Sequence, residues 1–157
     1  MPTTPLFLHG LDSSIQGTKA HWFASHFPHM RIQDYHGSLE DRLEQLAAQC
    51  RGLARLVLVG SSFGGLMATC HAIRAPEQCE RLILLAPALN FAEFVPPPEK
   101  ITIPTRIVIG RDDVVTPPAL VLPIARRTFA AAEIDLVDDD HMLHRTFPAL
   151  DWQAMLA

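Results

Sequence analysis

The chain has 157 residues, 48% hydrophobic and 19% charged, a length and balance expected of one soluble domain, residues 1–157, around a single core. Its net charge is −4 and it holds two lysines, Lys19 and Lys100, so the clustered basic surface that nucleic acid or an anionic membrane attracts is missing. No apolar stretch approaches the ~20 residues of a membrane span, and neither nucleic acid nor membrane is expected as a partner.

Met1-Pro2-Thr3-Thr4-Pro5 lacks the basic-then-apolar order of a secretory signal, which makes a cytoplasmic location the expectation. Strand-length apolar runs begin at Leu6-Phe7-Leu8 and end in a polar segment, His9-Gly10-Leu11-Asp12-Ser13-Ser14. A weaker run spans Met30 to Tyr35. Ser38-Leu39-Glu40-Asp41 has the form of a capping box, and Leu39, Leu43, Leu46, Ala47 and Cys50 follow at helical spacing. Leu56 to Val59 leads into Gly60-Ser61-Ser62-Phe63-Gly64-Gly65 and a helical stretch, Leu66 to Arg74. Leu82 to Leu85, Ile107-Val108-Ile109 and Ile134 to Val137 complete the set, with Pro76, Pro87, Pro104 and Pro148 between elements. Strand and helix thus alternate about six times, which implies an α/β fold: a parallel sheet with helices on both faces and right-handed crossovers.

Cys50, Cys70 and Cys79 form no C-x-x-C and are odd in number, which suits reduced thiols packed as small apolar residues. The eight histidines lack metal-ligand spacing, so no metal and no cofactor is expected.

In a parallel sheet, ligands bind beyond the carboxyl ends of the strands, and the chain's unusual polar clusters all follow strands. Gly60-Ser61-Ser62-Phe63-Gly64 matches G-x-S-x-G between a strand and a helix, the setting of a nucleophile elbow. Ser62 is the candidate nucleophile. A serine hydroxyl needs a base, itself oriented by a carboxylate. His141 is the candidate base, with His144 in reserve. Gly110-Arg111-Asp112-Asp113 offers the acid, and the order Ser, Asp, His is the one this architecture delivers. Residue chemistry alone leaves Asp112 and Asp113 as alternatives. Asp138 to Asp140 read as a solvated loop, because three like charges are costly to bury. The backbone N–H groups of Phe63 and Leu11 are candidate oxyanion donors, and His9 is expected to brace the loop that carries Leu11.

Together, Phe7 to Ser14, Lys19-Ala20, Gly60 to Gly65, Leu85-Ala86-Pro87 and Asp140-His141 resemble a compact α/β-hydrolase, in particular the small bacterial esterases of YqiA type. The resemblance implies a three-layer fold of about six parallel strands, in the order 2-1-3-4-5-6 and without a cap domain. The usual leading antiparallel strands have no counterpart here. Gly110 to Pro117 is similar to the superfamily's G-x-x-D-x-x-[VT]-P segment, which points to Asp113 as the acid. A cofactor-free serine hydrolase acting on a small-molecule carboxylic ester or thioester is what the resemblance implies.

The apolar connection Asn90 to Pro98 is read as a possible acyl-pocket wall. Leu89, Phe91, Phe94 and Met142, beside Leu11 and Phe63, would then favour short to medium apolar acyl groups. The alternative is that Phe91 and Phe94 pack a short helix onto the sheet. Two further readings stand beside the hydrolase: a non-catalytic interaction protein that keeps the fold, and a cofactor-free acyltransferase or lyase using the same residues.

Overall fold

The computed structural model describes residues 2–157; Met1, at the head of the N-terminal stretch read above, lies outside them. Aliphatic runs form six strands, β1 (Thr4–Leu8), β2 (Arg31–Ile32), β3 (Leu56–Ser61), β4 (Cys79–Leu85), β5 (Thr105–Gly110) and β6 (Ala132–Val137). All neighbouring pairs are parallel and the order is β2-β1-β3-β4-β5-β6, as the resemblance implied. Five helices accompany them: α1 (Thr18–His26), α2 (Leu39–Cys50), α3 (Phe63–Arg74), α4 (Pro118–Thr128) and α5 (Trp152–Leu156).

The period of two along each strand divides the core into two layers. Leu6, Leu8, Leu56, Leu58, Leu82, Leu84, Ile107 and Ile109 pack under α2, α3 and α4. Phe7, Val57, Val59, Ile83, Leu85 and Val108 face the other way, against Phe23 of α1 and Trp152 of α5. Burial of each such side chain contributes about 1.5–3 kcal/mol, so a one-residue slip in register would expose both layers at once. The capping box at α2 forms as read: Ser38 Oγ accepts from Asp41 N at 3.1 Å, and Asp41 Oδ2 accepts from Ser38 N at 3.0 Å.

Two elements differ from the sequence reading. The run Met30 to Tyr35 supplies only the two-residue edge strand β2, because pairing stops after Phe7↔Ile32 and the polar Gln33 and Asp34 follow. The β4–β5 crossover, residues 86–104, contains no helix. Pro87, Pro96, Pro97, Pro98 and Pro104 lack the N–H that helix propagation requires, so Phe91 and Phe94 lie on turns packed against the core.

Strand order reverses at β1, which has β2 on one side and β3 on the other, all three running in the same direction. The crevice at the carboxyl ends of β1 and β3 is therefore where residues following strands can converge on a ligand.

Candidate active site

Ser62 leaves β3 with φ 56° and ψ −114°, a conformation that costs a non-glycine residue on the order of 1–3 kcal/mol. It is held there by Ser62 N donating to Leu85 O at 2.9 Å, while Ser62 O accepts from Gly65 N at 2.9 Å and Ala88 N at 2.9 Å. The neighbouring glycines are required sterically. A Cβ on Gly60 would meet the Gly64 carbonyl, and one on Gly64 would meet the Leu8 carbonyl, so α3 could not start so close to the sheet.

The loop after β6 brings His141 to Ser62. His141 Nε2 lies 3.1 Å from Ser62 Oγ, and Nδ1 lies 2.8 Å from Asp113 Oδ2. An ionised carboxylate only accepts, so Nδ1 carries the proton and the bare Nε2 accepts from the serine hydroxyl. Asp113 is 3% exposed, whereas Asp112 is open to solvent. Asp113 Oδ1 accepts from Val115 N at 2.8 Å and Thr116 N at 2.7 Å, and Oδ2 also accepts from Thr116 Oγ1 at 2.7 Å. Burial alone would push the Asp113 carboxyl up. The hydrogen bonds from Thr116 and His141 outweigh it and hold the group below the usual carboxylate range.

Within the loop carrying His141, Asp139 departs from the reading as a solvated acidic stretch: it is half-buried and bound to its own loop. Asp139 Oδ2 accepts from Thr146 N at 2.8 Å, Thr146 Oγ1 at 2.8 Å and Arg145 N at 3.1 Å, and Oδ1 accepts from Asp140 N at 2.9 Å. Asp138 and Asp140 are exposed as first read, and Asp138 pairs with Arg111. His144 is exposed and lines a small adjoining cavity with Trp22 and Phe147.

On the β1 side, His9 is buried. Its Nε2 accepts from Tyr35 N at 3.0 Å, which leaves Nδ1 to donate to Gly10 O at 2.7 Å. This braces the turn carrying Leu11, as expected. Among the described residues the backbone N–H groups of Leu11 and Phe63 donate to no protein acceptor, so both are available as oxyanion donors.

A cavity of about 380 Å³ opens beside Ser62 and His141. Its walls come from the β1–α1 connection and the start of α1, with Leu11, Lys19, Val115 and Met142 among them. The proposed acyl wall is corrected accordingly. Of its four residues only Met142 lines this cavity. Leu89 is wholly buried in the core, Phe91 packs edge-on against Phe63 with ring centroids 5.5 Å apart, and Phe94 lines a different groove between α2 and α3. The physical reason is that these apolar rings find more burial against the sheet than over the strand ends.

Three residues that build the site were not read as site residues: Thr116, Asp139 and Lys19. Thr116 had a signal in the Asp-x-x-Thr spacing, which lets a hydroxyl and an N–H wrap back onto a carboxylate. Lys19 had one too, as one of two lysines, set just beyond a post-strand loop.

Comparison with known proteins agrees with this architecture. A model of the serine aminopeptidase S33 family matches residues 24–99, a little under half of the chain, which includes Ser62 but neither Asp113 nor His141. Mouse α/β hydrolase domain-containing protein 10 superposes with a TM-score of 0.74 at 20% identity, over 92% of this chain and 84% of that one. A monoacylglycerol lipase from Paleococcus ferrophilus gives 0.75 at 14% identity over 99% and 96%, and an epoxide hydrolase from a hot-environment metagenome gives 0.77 at 16% over 99% and 91%. No curated protein matches the chain significantly. The chain has the α/β-hydrolase fold, with no separate cap among the described residues. Its neighbours act on different bonds, so chemistry has to be argued from the site.

Proposed function

We propose that the protein is a serine hydrolase that cleaves carboxylic esters or thioesters of short to medium acyl chains through an acyl-enzyme. The observation that carries this reading is the continuous hydrogen-bonded chain Ser62–His141–Asp113 at 3.1 and 2.8 Å, built on a strained elbow. Ser62 Oγ attacks the substrate carbonyl carbon while His141 Nε2 takes the hydroxyl proton. Asp113 holds the imidazole tautomer and stabilises the imidazolium, and the N–H groups of Phe63 and Leu11 receive the oxyanion. Collapse expels the alcohol or thiol, protonated by His141. Water, deprotonated by the same imidazole, then attacks the acyl-enzyme, releasing the acid and restoring Ser62.

The fold, the partial S33 match and the likeness of the motifs to YqiA-type esterases support a hydrolase. The three thiols do not compete as nucleophiles. Burial pushes Cys50 and Cys70 up to about 11 and Cys79 up to about 12, so little thiolate exists near neutrality. Among the described residues no His, Cys, Asp and Glu cluster could hold a metal ion, and the mechanism uses none. No described helix is long and apolar enough to cross a membrane, and a cytoplasmic setting belongs to this reading.

The test is labelling with a fluorophosphonate followed by peptide mapping, with p-nitrophenyl ester turnover measured alongside. Ser62 is the expected adduct, and Ser62→Ala should lower kcat by ~10⁴-fold or more in a folded protein. Turnover that survives in Ser62→Ala, or an adduct elsewhere, would refute the assignment; a labelled serine without ester turnover would favour the acyltransferase or lyase alternative.

A further inference from the structure

Lys19 is 9% exposed and lines the cavity that holds Ser62 and His141. Its ammonium has three N–H donors, and one is engaged, with Met142 O at 2.7 Å. The Phe147 ring centroid lies 5.6 Å from Nζ. No carboxylate among the described residues lies within 4 Å of Nζ. Asp139 and Asp140 act on Lys19 through space without pairing with it: Asp139 binds four donors of its own loop, and Asp140 Oδ1 accepts from Met142 N at 3.0 Å. Asp12, the one acidic residue in the cavity wall, is exposed and interacts electrostatically with Arg42 of α2.

A buried cation without an ion-pair partner is costly, and desolvation lowers the Lys19 pKa although Asp140 and Asp139 oppose the shift. The start of α1 adds to the local positive potential. Gly17 and Thr18 line the same cavity, Gly17 provides no side-chain cap, and the first turn carries no acidic residue. Thr18, Lys19 and Met142 also line a smaller adjoining cavity with Trp22 and Phe147, so Lys19 lies in the wall that this cavity shares with the one beside Ser62.

Building on the ester-hydrolase reading, we infer that Lys19 is a specificity-determining residue that selects substrates carrying a carboxylate or other anionic group in the part seated in this cavity. The anion supplies a direct ion-pair partner and accepts the free N–H donors of Lys19, while Met142 O keeps the ammonium aligned along the wall. This revises the apolar preference expected from the sequence.

Two ester pairs compared at pH 7 test the inference and locate the charge. p-Nitrophenyl hexanoate against the p-nitrophenyl monoester of adipic acid places it on the acyl side, and phenyl butyrate against 4-carboxyphenyl butyrate on the leaving group. In the wild type, kcat/KM for one anionic ester should exceed its neutral partner about tenfold, chiefly through KM. Lys19→Met should collapse that ratio about tenfold, and Lys19→Arg should retain most of it. Thermal melting of both variants checks that they fold, and adipate as competitive inhibitor gives a second reading, its Ki rising about tenfold in Lys19→Met. Neutral esters cleaved with no anionic advantage, or an advantage that survives in Lys19→Met, would overturn the inference and leave the hydrolase reading intact. Equal loss on both members of each pair would do the same and assign Lys19 to holding the Met142 loop. Absence of turnover on all four esters would sink the hydrolase reading itself.

Discussion

Gly110 and Asp139 touch through their backbones at the top of the sheet. A Cβ built on Gly110 would collide with the Asp139 carbonyl oxygen and come within 2.7 Å of Asp140 O. The same pair of segments is joined by Asp112 N donating to Asp139 O at 3.1 Å and Arg111 N donating to Val137 O at 2.8 Å. The end of β5, which carries Asp113, thereby sets the height of the loop that carries His141. Gly110→Ala should push that loop away from Ser62, lowering kcat by ~10-fold or more and destabilising the fold by about 1–3 kcal/mol. Unchanged turnover and an unchanged melting temperature would show that the loop can yield without cost.

Asp113 and Thr116 act on His141 together, since one carboxylate oxygen receives both the imidazole Nδ1–H and the threonine hydroxyl. Asp113→Asn should lower kcat by roughly 10³ to 10⁴, through the wrong imidazole tautomer and an unsupported imidazolium. Thr116→Val removes one hydrogen bond to a charged group and should cost about tenfold. Asp112, exposed and outside the chain of bonds, should tolerate Asn. Steady-state kinetics on the three variants check the ranking, and a larger loss in Asp112→Asn would transfer the role.

Acid stability should report the same carboxylate. Burial pushes Asp113 and Asp139 up, but their hydrogen bonds, from Thr116 and His141 and from Thr146, Asp140 and Arg145, hold both below the ordinary range. The folded state therefore binds these protons more weakly than the unfolded chain does. Their contribution to stability is full above ~pH 4 and is lost as pH falls through the lowered values. Denaturant midpoints at pH 7 and pH 3 should show a gap between the wild type and Asp113→Asn that narrows at the lower pH. A gap of equal size at both would mean that ionisation of Asp113 does not stabilise the fold.

The chain-length profile should follow the cavity wall that the structure presents. Met142 is 45% exposed and lines the cavity, so Met142→Ala should alter the dependence of kcat/KM on acyl length. Phe94 is half-buried against the core in a separate groove. Phe94→Ala should lower stability by about 1–2 kcal/mol and leave the profile as it was. An altered profile in Phe94→Ala would restore the Asn90 to Pro98 connection as the acyl wall.

Local pattern determined most of the fold. Continuous apolar runs mark strands buried on both faces, the Ser38 capping box starts α2, and Gly60 to Gly65 marks the sharp turn after β3, because each of these depends on neighbours a few residues apart. The candidate nucleophile, base and acid were legible for the same reason: each lies in the segment that follows a strand, and parallel strands deliver their carboxyl ends to one edge. What residue chemistry alone could not carry was the direction in which a side chain turns and contact between distant segments. Asp113, to which only the resemblance of Gly110 to Pro117 pointed, turns inward because Val115 N and Thr116 N wrap around its carboxylate. Apolar composition gives no direction, which left Phe91 and Phe94 to be read either as an acyl wall or as packing onto the sheet, and their rings pack against the core. Lys19 meets the Met142 carbonyl across 123 positions of sequence, so only the folded chain sets a buried lysine in the wall of the cavity that also holds Ser62.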